Sequence, residues 1–393
     1  MQQGSLNGGN STDKEVYQPL SGGPSTASTR LTQHEPMGYS EVGLFLGLIM
    51  GLIYFAIRGR STDVGIPAVG LINSSKNESL LPLLLLLGAF IGPTWMFRAM
   101  ESIDAWTPAK SNRDRENRQI YPFRFALLQV LPPAAAATSF GLVHFGGITD
   151  GVGLFRPDDF RGFHPAEQGI LAAIYGGYLG ATLAVRLGTA LDLLLGYAPW
   201  NQRSWADNGL FAGLMIMPTY LGIRAFISSN TLILPMKGAL APESTAIHTV
   251  VGTGFGAIVG LFWFYRLCEF IDAWSTKKEG TACRYGLLRL LPLITAPMAI
   301  CLTKLAGITD AAGLFDPDEF KNFPLFEIVI ASGLWGAYVG ATAAVRWGNM
   351  ADRSGHIYNK TRTMIGSYCY KPPFQTALGK DNSLSAITPD PEP

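Results

Sequence analysis

Residues 147–160 read GITDGVGLFRPDDF, and residues 307–320 read GITDAAGLFDPDEF. Ten of the 14 positions are identical, which is far more than two unrelated loops would share. Self-similarity at a distance along one chain indicates an internal repeat. We therefore interpret the chain as a tandem duplication. Residues that both copies share become the first candidates for a structural or functional role.

The similarity continues on both sides of this stretch. Downstream, GATLAVRLG at 180–188 matches GATAAVRWG at 340–348, and upstream the pattern RxxExIDAW at 98–106 returns at 266–274. The sequence predicts a disordered cytosolic tail, two four-helix membrane repeats and a cytosolic C-terminal tail. The boundaries of these four segments are 1–39, 40–200, 207–355 and 356–393.

Composition indicates an integral membrane protein. The chain has 393 residues, of which 48% are hydrophobic and 15% are charged, whereas a soluble chain carries about 25% charged residues. The mean hydropathy is +0.21. A helix needs about 20 apolar residues to cross the hydrocarbon, and eight apolar stretches approach that length. These stretches are 40–57, 80–97, 123–145, 168–187, 208–227, 246–265, 285–303 and 325–345.

Eight spans would put both termini on one side of the membrane. Most of the 30 Lys and Arg residues lie in the tails and in the loops after spans two, four and six, so the positive-inside rule places both termini in the cytosol. Because four spans per copy is an even number, the two copies should run parallel. The predicted fold is an all-α integral membrane protein of about eight transmembrane helices in a tandem parallel 4+4 repeat.

Several classes of function have no support in the sequence. A net charge of +1 gives no bulk basic surface for nucleic acid. The four cysteines form no CxxC pair, which leaves a zinc or redox site without support. We predict no catalytic residues, no metal and no cofactor. The expected partners are the lipid bilayer and either other membrane subunits or further copies of the chain.

Glycines four residues apart recur at matching places in the two copies. Small residues at this spacing let two helix backbones approach closely in a membrane. We expect these glycines at helix contacts, on the second and fourth spans of each copy. They are Gly88, Gly92, Gly176, Gly180, Gly256, Gly260, Gly336 and Gly340.

The repeated loops between spans carry clustered carboxylates. They could form an acidic outer mouth that attracts cations. They could instead serve as helix starts, because a proline followed by acidic residues is typical of a first helical turn. A calcium site is a third possibility. The carboxylates are Asp150, Asp158 and Asp159 in the first loop and Asp310, Asp316, Asp318 and Glu319 in the second.

Charged residues also recur near the predicted cytosolic ends of the spans. The RxxExxD triplets could form local ion pairs beside a tryptophan anchor, or the arginines could contact a phosphate or lipid head group. The arginine of each GATxAVR motif could reach the membrane interface or line a pathway. The eight residues are Arg98, Glu101, Asp104 and Arg186, with Arg266, Glu269, Asp272 and Arg346 in the second copy.

Almost no charged residue remains at mid-depth once the spans are placed, which disfavours a proton-driven pump. We favour a channel or passive carrier for a small solute or cation, with its path between the two repeats. The alternative is a non-catalytic scaffold or assembly subunit of a larger membrane complex. A lipid-modifying enzyme is a weaker third reading. Polar residues expected within the spans are Gln129, Thr138, Ser139, Tyr175, Tyr178, Thr182, His248, Thr249, Thr253 and Thr342.

Overall fold

A computed structural model describes the helices of the chain and a few residues beside them. The described residues are 38–58, 81–109, 112–146, 160, 162–199, 204–227, 245–275, 282–305, 320 and 322–369. They form nine α-helices. In chain order these are α1 (Tyr39–Arg58), α2 (Leu81–Trp106), α3 (Asn112–Ile120), α4 (Pro122–Gly146), α5 (Pro165–Leu194), α6 (Trp205–Ile227), α7 (Thr245–Ser275), α8 (Ala282–Leu305) and α9 (Leu325–Cys369).

Seven of the described helices are long and apolar enough to cross a membrane, which confirms a multi-pass, all-helical protein. They are α1, α4, α5, α6, α7, α8 and α9. Helix α2 covers the predicted second span but is not among the seven, so eight crossings stay a prediction. The orientation of the termini and the parallel 4+4 arrangement also stay predictions. Helix α9 continues to Cys369, beyond the predicted end of the second repeat at residue 355.

Within each half, consecutive long helices pack as antiparallel pairs with little side chain between their backbones. In the α1–α2 pair, Gly47 lies against Gly92 and Gly51 against Gly88. A Cβ atom at Gly88 would lie 2.5 Å from the carbonyl oxygen of Gly51, which is closer than real Cβ contacts allow. Only a residue without a side chain therefore permits this spacing.

The same kind of contact joins the other three pairs, α4–α5, α6–α7 and α8–α9. A Cβ atom at Gly180 would lie 2.6 Å from the carbonyl oxygen of Leu131, and one at Gly256 would lie 2.6 Å from that of Met217. The eight glycines that the sequence singled out all face a neighbouring helix at such distances. They are Gly88, Gly92, Gly176, Gly180, Gly256, Gly260, Gly336 and Gly340.

Carboxylates from neighbouring helices cap the first turns of four helices. Asp104 of α2 accepts hydrogen bonds from the backbone N–H groups of Tyr39, at 2.9 Å, and Ser40, at 2.8 Å, where α1 begins. Such side chains satisfy donors that an α-helix leaves unpaired at its N-terminus. Because the cap comes from the partner helix, it also fixes how far one helix is shifted along the other.

Three further aspartates make the equivalent contact. Asp272 binds the first N–H groups of α6 at 3.0 Å, Asp192 those of α4 at 2.9 and 3.0 Å, and Asp352 those of α8 at 3.0 and 3.1 Å. The caps of α1 and α6 occupy matching positions in the two sequence copies, and so do those of α4 and α8. These four aspartates therefore fix helix positions within each half.

Candidate functional site

A polar cleft lies where the two halves of the chain meet. It is enclosed by α2 and α5 of the first half and by α7 and α9 of the second. The space that it encloses is about 10 Å³, roughly enough for one water molecule. The lining residues are Thr94, Arg98, Tyr178, Thr182, Arg186, Phe262, Arg266, Tyr338, Thr342 and Arg346.

The lining of this cleft consists of matched positions from the two sequence copies. On α5, Tyr178, Thr182 and Arg186 are four residues apart, so they lie along one helical face. Helix α9 presents the same three residue types at 338, 342 and 346. Arg98 and Arg266 form a further matched pair, and Thr94 in the first copy corresponds to Phe262 in the second. Each half thus contributes an almost identical polar stripe.

Two matched tyrosines meet each other inside the cleft. The hydroxyl oxygens of Tyr178 and Tyr338 are 3.4 Å apart, close enough for one to donate a hydrogen bond to the other. Trp95 stacks beside Tyr178, and Trp263 stacks beside Tyr338, both with ring centroids 6.2 Å apart. The aromatic rings hold the two hydroxyls in place on opposite sides of the contact.

Two of the four arginines in the cleft are neutralised by glutamates. Arg98 forms an ion pair with Glu101, which also accepts from Arg124 of α4 at 2.9 Å. In the second half Glu269 is bound by both Arg266 and Arg284. Each glutamate is therefore shared by two guanidinium groups. These glutamates hold Arg98 and Arg266 in place as part of ion-pair networks.

The other two arginines are buried without such a partner. The guanidinium carbon of Arg186 lies 3.3 Å from the centroid of the Tyr265 ring, and that of Arg346 lies 3.9 Å from the Phe97 ring. Arg186 is 4% exposed and Arg346 is 2% exposed. Within the described residues no carboxylate lies within 4 Å of either, and the Nε atom of each has no hydrogen-bond partner.

These two arginines differ from the membrane-interface anchors that were one of the alternatives suggested by the sequence. An arginine that reaches the membrane surface keeps its charged end in water, whereas both of these are enclosed by helices. Each one crosses from its own half to stack on a ring of the other half. Cation–π contacts of this kind contribute up to about 2 kcal/mol when water is excluded, which offsets only part of the cost of burial.

Two further ion-pair clusters lie away from the cleft, at the N-terminal ends of α5 and α9. Arg58 binds Glu167 and stacks 3.8 Å above the ring of Phe163, while Tyr54 donates to the same glutamate at 2.7 Å. Arg224, Glu327, Phe323 and Tyr220 repeat this arrangement in the second half. Here each arginine has a carboxylate, so these clusters satisfy their own charge.

The acidic residues of the repeated loops lie outside the described residues, and the cation-attracting mouth stays a prediction. They are Asp150, Asp158, Asp159, Asp310, Asp316, Asp318 and Glu319. Among the described residues no group of three or more His, Cys, Asp or Glu could hold a metal ion. Asp104 and Asp272, predicted as part of the charged triplets, serve as helix caps and do not line the cleft.

The sequence identified many of the residues of the cleft but did not show that they lie together. Tyr178, Thr182 and Thr342 were among the polar candidates, whereas Thr94 and Tyr338 were not. The signal that would have found Tyr338 is its match to Tyr178 in the repeat. Comparison of the chain with protein-family models, curated proteins and solved structures found no match.

Proposed function

We propose that the protein is a passive carrier or channel for a small solute, whose binding site is the cleft between the two halves. The observation that carries this proposal is the set of buried polar side chains that both halves direct to one place. Burying a polar group without a partner costs free energy, so an interface with a purely structural role favours apolar contacts. Ionisable residues inside a helical membrane bundle commonly mark a solute pathway.

The placement of the cleft adds support to this proposal. Binding sites in membrane carriers built from repeats lie at the interface between the repeats, where relative motion of the two parts can change access. The helices around the cleft are each packed tightly against a partner within their own half. A polar surface between two parts of a helical bundle is an arrangement that a carrier requires, although fold alone does not establish function.

Solute flux into liposomes that contain the purified protein tests the proposal. Thr342→Met should block flux of any solute that uses the cleft, because the longer side chain fills space that the threonine leaves open. Thr189→Met is the matched control. Thr189 is also buried, on α5, but does not line the cleft. We expect flux in the parent and in the control, and at least a severalfold loss in the Thr342 variant.

The alternative is a scaffold subunit of a membrane complex. Stable partner subunits that co-purify with the chain, together with no flux of cations, anions or neutral solutes above protein-free liposomes, would favour the scaffold. Equal flux in the two threonine variants would place the path elsewhere. A role for the acidic loops in attracting cations is tested separately, by changing Asp150, Asp158, Asp310 and Asp318 to Asn and measuring flux at low ionic strength.

A further inference from the structure

We infer that the cleft binds an oxyanion group, a phosphate or a carboxylate, through Arg186 and Arg346. This inference deepens the proposed function because it names the class of solute. That the ligand is transported rests on the proposed function. The binding chemistry itself rests only on the side chains of the cleft.

The first argument is the balance of charge. Four arginines line the cleft, and the only carboxylates that pair with any of them among the described residues belong to Glu101 and Glu269. Each glutamate is shared with a further arginine, Arg124 or Arg284. Positive charge therefore exceeds negative charge at the cleft. Such a site repels cations and attracts an anion, and the effect is strong because the groups are shielded from water.

The second argument is the supply of hydrogen-bond donors. The Nε–H groups of Arg186 and Arg346 and the hydroxyl of Thr342 are buried and have no partner. In the contact between Tyr178 and Tyr338 only one hydroxyl donates, so the hydrogen of the other is available to a ligand. An unmet donor in a buried site costs stability, and more so when the group is charged. Acceptor oxygens are the ligand atoms that such donors bind.

Two other hydroxyl groups in the cleft are already hydrogen-bonded within their own helices. The hydroxyl of Thr94 donates to the carbonyl oxygen of Phe90, and that of Thr182 donates to the carbonyl oxygen of Tyr178. These two threonines have used their donors and contribute only weak acceptors. The cleft as a whole is therefore rich in donors and poor in acceptors, which a neutral polyol, with as many donors as acceptors, would not match.

The third argument is the position of the two guanidinium groups. Each has its central carbon directly over an aromatic ring, at 3.3 Å from the Tyr265 centroid for Arg186 and 3.9 Å from the Phe97 centroid for Arg346. Stacking leaves the N–H groups in the plane of the guanidinium free for a ligand. The planar fork of N–H groups matches the oxygens of a carboxylate or phosphate in a bidentate contact. The rings thus hold the arginines while leaving their recognition edges unused.

The size of the cleft limits the ligand further. The space that it encloses is only about 10 Å³, roughly enough for one water molecule and far below the roughly 300–1,000 Å³ of pockets that enclose drug-sized ligands. Only a small oxyanion group can therefore enter, with some movement of the surrounding side chains, either as a free anion or as the head group of a lipid whose tails stay outside the cleft. The chemistry at the arginines is the same for both sources.

Binding to the purified protein in a neutral detergent tests the inference. Inorganic phosphate and succinate are titrated at constant ionic strength, with glycerol as the neutral comparison. In the double variant Arg186→Gln and Arg346→Gln, affinity for the bound anion should fall at least about tenfold for each arginine, because a hydrogen bond to a charged group contributes roughly 1.5–3 kcal/mol. The control Arg353→Gln removes a partly exposed arginine paired with Glu41 and should leave affinity unchanged.

A conservative variant separates binding from folding. Arg186→Lys with Arg346→Lys keeps the charge but loses the fork, so it should bind more weakly than the parent and more tightly than the glutamine variant. All variants are compared by gel filtration and thermal unfolding before titration. If neither free anion binds the folded parent, and phosphatidic acid in nanodiscs does not bind either, the inference is overturned. Binding that is equal in the parent and the glutamine variant also overturns it.

Two further measurements show whether the oxyanion is a free solute or a lipid head group, and whether the proposed function holds. Binding of phosphatidic acid in nanodiscs that depends on both arginines, without binding of a free anion, supports the oxyanion site and overturns solute transport. Free-anion binding without flux likewise supports the oxyanion site and overturns solute transport. Flux of a neutral solute that is blocked by Thr342→Met, with no anion binding, leaves the proposed function standing and overturns the inference.

Discussion

The contacts inside each half of the molecule differ in kind from the contacts between the halves. Inside a half, glycine backbones touch across antiparallel helices, and aspartates cap the helix that lies beside them. Between the halves, Arg186 and Arg346 stack on rings, and two tyrosine hydroxyls meet. Apolar residues of α5 and the ion pair of Arg353 with Glu41 also join the halves, away from the cleft. The glycine and aspartate contacts leave no space and no spare donor, whereas the contacts at the cleft leave both.

This difference indicates where stability and function separate. Contacts that satisfy every group give their full free energy to folding. Buried groups that remain unsatisfied cost stability, and functional sites are where proteins commonly tolerate that cost. Substitutions inside a half should therefore mainly affect folding, whereas substitutions at Arg186 and Arg346 should mainly affect binding. Four comparisons test this division, beginning with the largest expected effect.

Glu269→Gln should destabilise the protein most. The glutamate pairs with both Arg266 and Arg284, and its loss would leave two guanidinium groups without their carboxylate. Removing one partner of a buried pair typically costs about 3–5 kcal/mol. The measurement is the thermal unfolding midpoint of the detergent-purified protein, with the exposed Glu116→Gln as control. Equal midpoints would mean that the network contributes little to stability.

Gly256→Ala and Gly254→Ala form a matched pair on one helix. A methyl group at Gly256 would collide with the backbone at Met217, and overpacking of this kind costs about 1–3 kcal/mol. Gly254 has no neighbouring atom within 4 Å, so alanine there should stabilise helix α7 by up to about 1 kcal/mol. Thermal unfolding should move in opposite directions for the two variants. The same direction in both would contradict the tight seam between α6 and α7.

Arg346→Met should stabilise the ligand-free protein by about 1–2 kcal/mol, because burying an unpaired charge costs more than the stacking on Phe97 returns. The comparison is Arg98→Met, which removes a paired arginine and should destabilise. Unfolding midpoints in buffer without oxyanions provide the test. A loss of stability in the Arg346 variant would identify that arginine as a structural residue.

Tyr338→Phe should have the smallest effect. It removes one of the two hydroxyls at the contact with Tyr178, and a neutral hydrogen bond of 3.4 Å contributes at most about 1 kcal/mol. The exposed Tyr197→Phe serves as the control. We expect a midpoint close to that of the parent in both. A large loss in the Tyr338 variant alone would show that this contact holds the halves together.

The sequence predicted the helices well because apolar runs and glycine spacing are local signals. The predicted span 123–145 corresponds to helix α4 (Pro122–Gly146), and 285–303 to α8 (Ala282–Leu305). Helix ends were less predictable where polar residues continue a helix beyond its apolar run. Helix α7 ends at Ser275 instead of residue 265 for this reason.

The cleft was only partly predictable, because it depends on how helices from distant parts of the chain face one another. Spacing of four residues puts Tyr178, Thr182 and Arg186 on one face, and the repeat extends this to the second copy. Nothing local shows which helix that face contacts. The burial of Arg186 follows from its contact with Tyr265, which lies in the other half. The caps by Asp104 and Asp192 are equally non-local.

The contact between Tyr178 and Tyr338 has a consequence for how this cleft changes over evolutionary time. Equivalent residues touch each other on the symmetry axis of a two-subunit assembly, and there one gene would impose every substitution on both sides at once. Here each side is encoded separately within one chain, so either side varies alone. Thr94 faces the cleft where the other copy has Phe262, and Phe97 supports an arginine where the other copy uses Tyr265. The two walls of the cleft can therefore differ at such positions while the tyrosine pair stays the same.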